Sequence, residues 1–285
     1  MIYVGLTGWG DHEGLYGSDV SVRNRLQAYS EHFPIVEVDT AFYAIQPHRN
    51  SEKWIRETPD GFQFIVKAYQ GMTGHLRGNI PFDSKEEMFA AFRESLFPYL
   101  ESGKLAMALF QFPPWFQCIK ENVAYLRYCK QQMKDIPVAL EFRNQTWFST
   151  PFYHKTLAFM QQEGWIHSVC DEPQAGEGSV PTVLQATHSD KTLVRMHGRN
   201  VYGWNRATAG DNWRAVRFLY KYNYQELIEW KENVLKLAQQ SKDVYIVFNN
   251  NSAGDAAPNA KQMIDLLGVE YTMLAPKQLD MFQSE

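Results

Sequence analysis

Nothing in this 285-residue chain approaches the ~18 consecutive apolar residues needed to span a bilayer, so no membrane association is expected. The opening residues, Met1-Ile2-Tyr3-Val4, lack a basic start followed by an apolar stretch and a small-residue cleavage site. No signal peptide is expected there, and the chain reads as cytoplasmic. Cysteine is scarce: Cys118, Cys129 and Cys170 form no Cys-x-x-Cys pair, and an odd count excludes a closed disulfide set. Reduced thiols in a reducing compartment are the simplest reading. Charge excess is also missing, since a net charge of −4 gives no global reason for unaided nucleic-acid binding. No low-complexity segment or Pro/Gly/Ser linker divides the chain. The first strand–helix turn, Thr7-Gly8-Trp9-Gly10, has no G-x-G-x-x-G, which argues against an open dinucleotide-binding sheet.

What is present is a regular alternation. Eight short β-type runs recur: Ile2–Leu6, Ile35–Asp39, Phe62–Lys67, Leu105–Phe110, Val138–Phe142, Trp165–Val169, Leu193–His197 and Val244–Phe248. Between them apolar residues repeat every three to four positions, as in Val22, Leu26, Tyr29, Phe33 and in Met88, Phe92, Leu96, Tyr99. The same spacing recurs in Val123, Leu126, Cys129 and in Leu227, Trp230, Val234, Leu237. Asp83 or Ser84 would start one helix, and Thr150-Pro151 another. Strands alternating with helices imply parallel βαβ units, and eight in one run match the usual ~250 residues of a closed barrel. The expected fold is α/β: a single (β/α)8 TIM-type barrel over residues 1–274, followed by a tail peptide, 275–285. The longest interval, Gly198 to about Lys242, should make the barrel irregular between strands 7 and 8, and such loops usually serve function.

Strand residues alternate between faces, and in a barrel the outer face meets apolar helices. Charged strand residues must therefore point inward. This places Glu37 and Asp39, Lys67, Glu141 and Arg143, and Arg195 and His197 inside. An unpaired buried charge is too costly, so three carboxylates and three cations should satisfy one another. Arg143, His197, Arg199 and Asn249 lie nearest the strand ends, where barrel active sites sit. Glu37 and Arg195 lie deeper and should orient the others.

Several segments together resemble one family: Gly5-Leu6-Thr7-Gly8-Trp9, Glu37–Tyr43, Phe64–Ala68 followed by Met72-Thr73-Gly74-His75, Phe110–Pro114, Glu141-Phe142-Arg143-Asn144, Arg195–Arg199 and Phe248–Asn251. The chain resembles the YecE-like barrels, domain of unknown function 72, nearly end to end. The resemblance implies a TIM-type barrel and no assigned reaction, so function must be argued from the site.

Two chemistries compete. Metal-dependent barrels of the xylose-isomerase and endonuclease IV type take ligands from successive strand ends, and Glu141, Asp171 and His197 occupy three such places. The fourth is Asn249, and Arg143 and Arg195 would repel a divalent cation, so no cofactor is firmly implied. The favoured reading is an anion site in which Lys67, His75, Arg143, Arg195 and Arg199, with Asn249, hold a phosphate group. Glu37, Asp39 or Glu141 would then act as base and His197 as acid or base, in a hydrolase or lyase acting on a phosphate-bearing small molecule or nucleic acid. Trp9, Tyr43 and Trp204 would supply stacking surfaces beside the basic loop after strand 7. A metal-dependent sugar isomerase or epimerase, an endonuclease IV-like barrel, and a non-catalytic ligand- or nucleic-acid-binding barrel remain alternatives. In the tail, Gln278-Leu279-Asp280-Met281-Phe282 resembles the pentapeptide by which bacterial repair and replication proteins dock on the DNA sliding clamp.

Overall fold

Alternating apolar and charged strand residues leave one arrangement in which both sets are accommodated: a closed cylinder with helices outside and ions within. The computed structural model, which describes residues 1–16, 20–204, 210 and 213–276, has that form. The strands are β1 (Ile2–Thr7), β2 (Ile35–Val38), β3 (Gln63–Lys67), β4 (Leu105–Gln111), β5 (Val138–Glu141), β6 (Ile166–Asp171), β7 (Lys191–Met196) and β8 (Asp243–Phe248). They pair in chain order, all parallel, and β8 returns to β1 to close the barrel. Each expected run overlaps one strand, with ends that differ by one or two residues, so the (β/α)8 architecture holds. No helix among the described residues is long and apolar enough to cross a membrane.

Alternation divides the interior into layers. The outward residues Val36, Val38, Phe64, Phe110, Leu140, Val194 and Phe248 pack with Tyr29, Phe92, Leu96 and Trp230 of the helices. Each such Phe, Leu or Val contributes about 1.5–3 kcal/mol relative to exposure. The inward residues at the base form a second apolar cluster of Tyr3, Ile35, Ile65, Leu109, Ala139, Leu193 and Val247, with Met273 against it. Above it the inner wall turns polar. Gly5 permits the close approach of β1 to β2, because a Cβ there would lie 2.2 Å from the Ile35 carbonyl oxygen.

The helices follow the expected periodicity, with local differences. In helix Lys85–Glu101, Met88, Phe92, Leu96 and Tyr99 are buried, and Ser84 caps the start by accepting from the Glu87 amide. Helix Tyr224–Ala238 buries Leu227, Trp230, Val234 and Leu237 behind a reciprocal Asn223/Glu226 capping box. Two sequence expectations shift. Val22 stands apart from helix Arg25–Ser30 in a short 3-10 turn and is 73% exposed. The helix expected at Thr150-Pro151 begins at Tyr153, after a 3-10 turn over Gln145–Phe148. The long interval after β7 holds the short helices Val201–Trp204 and Trp213–Val216 before Tyr224–Ala238, and Trp204 and Trp213 line one cavity with Arg143.

Candidate functional site

The polar layer is built around two arginines. Arg195 on β7 grips Glu37 of β2 in a bidentate fork, Nε to Oε2 at 2.9 Å and Nη2 to Oε1 at 2.6 Å. Its Nη1 donates to both Glu141 oxygens, at 3.1 and 3.0 Å, and to Gln111 at 3.3 Å. One guanidinium thus ties β2, β4, β5 and β7 across the barrel. One step higher, Arg143 donates to Glu141 at 2.7 Å, to Glu172 at 2.5 Å and to Nε2 of His197 at 2.8 Å. Arginine can only donate, so Nε2 accepts and Nδ1 carries the ring proton. The Asn249 side-chain nitrogen lies 2.9 Å from Nδ1, and a proton on Nδ1 requires the amide to turn over so that its oxygen accepts.

This layer is sealed: Glu37, Glu141, Arg143, Arg195 and His197 are all buried. Burial raises the Glu37 pKa, with Arg195 opposing. Burial acts the same way on Glu141, but Arg143 and Arg195 outweigh it and hold the carboxylate well below its usual range. Burial, then the two guanidiniums, keeps His197 neutral. Glu172 was absent from the sequence reading. It brings a third buried carboxylate to two guanidiniums, and burial pushes its pKa up to about 7 although Arg143 opposes this. Its other oxygen accepts from the Val180 amide at 2.7 Å, which fastens the segment after β6 to the site.

Above this floor lie the accessible groups. Lys67 bonds Asp39 at 2.9 Å and sits 4.9 Å from the Phe42 ring centre. The Asp39 side chain is 39% exposed. Partial burial would raise its pKa, but Lys67 and then Arg195 hold it down, so it is an ionised carboxylate within reach of a ligand. A cleft of about 1200 Å³ opens on this side, lined by Thr7, Trp9, Asp39, Tyr43, Asn249 and the Ser252-Ala253-Gly254 turn. A second, smaller cavity of about 330 Å³ is lined by His75, Arg77, Gln111, Trp115, Arg143, Trp204, Trp213 and Arg217. Burial lowers the His75 pKa to about 4, helped by Lys67, Arg143 and Arg217.

Arg217 is the unusual member. Its guanidinium carbon lies 4.6 Å from the Trp204 ring centre, 4.9 Å from Trp213 and 5.3 Å from Phe218. Its Nε is buried without a hydrogen-bond partner, and no carboxylate of the described residues pairs with it. Burial, then the nearby Arg143, draws its pKa down to about 10. Arg77 stacks over Trp115 at 5.9 Å on the opposite wall.

Not every residue singled out in the sequence comes to this site. Arg199 does not line either cavity. It donates to both Asp171 oxygens at 3.0 Å and lies 3.4 Å from Glu226 and 3.7 Å from Glu229, beside helix Tyr224–Ala238. Asp171 faces outward with it, so it does not join Glu141 and His197 as a ligand set. The carboxylate that β6 sends inward is Glu172, one residue further along. The donor atoms that do converge are those of Glu141, Cys170 and His197, within 4.8 Å of one another. Glu141 and His197 already accept from Arg143, so a cation would have to displace a guanidinium to bind there. The pentapeptide Gln278, Leu279, Asp280, Met281 and Phe282 lies outside the described residues.

A closed parallel barrel with an arginine-bound acidic floor and a basic, aromatic-walled mouth is the class that fold and site define. Residues 3–281 match the family model described as "Protein of unknown function DUF72", and the chain belongs to that family. It is 69% identical over 282 residues to the UPF0759 protein YunF of Bacillus subtilis, covering 99% of this chain and all of YunF. Among solved structures it is similar to a DUF72 protein of Enterococcus faecalis, at 42% identity and a TM-score of 0.92 over 98% of this chain and all of that one. It is also similar to a DUF72 protein of Thermotoga maritima, at 29% identity and 0.80 over 94% of this chain and all of that one.

Proposed function

We propose that the barrel mouth binds a small phosphate-bearing molecule and performs acid–base chemistry on it. The observation that carries this is Arg217, a cation fixed between aromatic rings in a cavity wall, with no carboxylate of the described residues to neutralise it. Arg143 has two acidic partners, whereas Arg77 and Arg217 form no ion pair among the described residues, which leaves the cavity wall rich in positive charge. Planar guanidinium groups held on indole faces present their N–H edges to a tetrahedral anion. At about 330 Å³ the cavity is at the small end of ligand sites, suited to one phosphate with part of its ester group. The remainder of the molecule would extend past Lys67 and Asp39 into the larger cleft. There Asp39 would take a proton from the substrate, and the adjacent Lys67 ammonium would stabilise the negative charge that develops.

Arg217 rather than Arg199 then contacts the anion, and of the three candidate bases Glu37, Asp39 and Glu141 the partly exposed Asp39 is the one a substrate can reach. Calorimetric titration with inorganic phosphate and glycerol phosphate, with glycerol as control, tests it. Both phosphates should bind and glycerol should not. A charge-assisted hydrogen bond contributes about 1.5–3 kcal/mol, so Arg217→Ala should weaken phosphate binding roughly 10- to 150-fold. Equal affinity in the variant, or no phosphate binding by the wild type, removes the proposal.

A further inference from the structure

Outside the barrel mouth, one cavity has a different chemistry. Helices Lys120–Met133 and Tyr153–Glu163 follow β4 and β5, and the space between them is about 780 Å³. Val123, Trp147, Phe152 and Phe159 give it an apolar lining, which Lys120 and Lys155, both exposed, also join. One wall is rigid. Trp147 stacks on Phe142 at 4.1 Å and on Phe116 at 5.7 Å, and its indole N–H donates to the Phe116 carbonyl at 2.7 Å. The neighbouring Cys118 amide donates to Thr146 at 2.9 Å, so the loops after β4 and β5 are joined behind the cavity.

The charge lining it is one-sided. Arg127 is committed to Glu163 at 2.8 Å, whereas Lys120 and Lys155 have no carboxylate partner among the described residues. An apolar interior under two uncompensated ammonium groups matches an amphipathic monoanion, whose chain takes the interior while its head meets the lysines. The preformed wall lowers the ordering cost of binding. We infer that this cavity is a binding site for an aliphatic carboxylate of the acyl-chain type, separate from the phosphate site at the mouth.

Calorimetric titration of the full chain with dodecanoate and with dodecanol tests this. Dodecanoate should bind with 1:1 stoichiometry and more tightly than dodecanol. Lys120→Ala with Lys155→Ala should weaken dodecanoate between about two- and thirtyfold, the range for two exposed ion pairs, and leave dodecanol unchanged. Val123→Trp should crowd the cavity and weaken both, and phosphate binding should persist in every variant. The lysine variants alter only the surface, so they decide the matter if Val123→Trp does not fold. Equal binding of acid and alcohol, or dodecanoate affinity untouched by the lysine changes, overturns the inference. So does sedimentation that shows a ligand-free dimer dissociated by Val123→Trp, because the face would then be an interface between copies.

Discussion

Replacing Arg195 with methionine tests the electrostatic account of the barrel most directly. Arg195 supplies both hydrogen bonds received by Glu37 and two of those received by Glu141. Glu141 would keep Arg143 and the Ser168 hydroxyl. Glu37, which has no exposed surface, would keep no ion pair among the described residues. Breaking a buried pair on one side costs about 3–5 kcal/mol, because the remaining charge is left in a medium that solvates it poorly. The assay is urea unfolding followed by circular dichroism. The midpoint of Arg195→Met should fall by that energy divided by the slope of the wild-type transition. The deficit should depend on pH in a fixed direction. Burial already raises the Glu37 pKa, and loss of Arg195 raises it further. A carboxyl whose folded pKa lies above its unfolded one stabilises most at low pH and loses that contribution as pH rises. The variant should therefore be closest to wild type in acid and furthest from it above neutrality. Adding Glu37→Met removes the stranded charge and should recover most of the loss. A double variant no more stable than Arg195→Met, or a deficit that does not change with pH, refutes the reasoning.

Three further predictions follow the same logic. Burial holds the Glu172 pKa at about 7, so its contribution to stability declines as pH rises from the ordinary carboxylate range to about 7, and Glu172→Gln should flatten that part of a stability–pH curve. An unchanged slope would show that Glu172 is not the group responsible. Arg199→Ala should leave phosphate affinity as it is while lowering stability, because its partners are Asp171, Glu226 and Glu229 rather than the cavity; weaker phosphate binding would return Arg199 to the site. A peptide spanning residues 276–285 should bind purified sliding clamp and lose binding on Phe282→Ala, and equal binding by both peptides dismisses the docking motif.

Much of the inner wall was legible because strand alternation is a local rule. A charged residue two positions from another on a strand must share its face, so Glu37 with Asp39, Glu141 with Arg143 and Arg195 with His197 could be placed without a structure. The same rule carried past the expected end of strand 6 would have found Glu172, which shares the face of Ser168, while Asp171 takes the other. Asp171 drew attention instead through its likeness to a metal-ligand position. The alternation could not rank Arg199 above or below Arg217. Both lie beyond β7, where the chain no longer follows a two-residue period and its path depends on what it packs against. Gly198 turns the backbone there at φ 84°, with Tyr220 so close that a Cβ would meet it at 2.4 Å. Beyond that turn Arg199 is directed to the acidic start of helix Tyr224–Ala238, and Arg217 to the tryptophans over the cavity.

The sequence by itself therefore determined the barrel, its closure and the sign of the charges inside it, since period and charge cost act residue by residue. Only the tertiary structure decided which charges neutralise one another and which is left over. Arg143, Arg199 and Arg217 are chemically the same side chain. Two of them are paired with carboxylates that other segments bring, Glu172 to Arg143 and Asp171 to Arg199, and the third is held by Trp204 and Trp213 in the cavity wall. Distances between segments far apart in sequence set that outcome, and with it the place where an anion can bind.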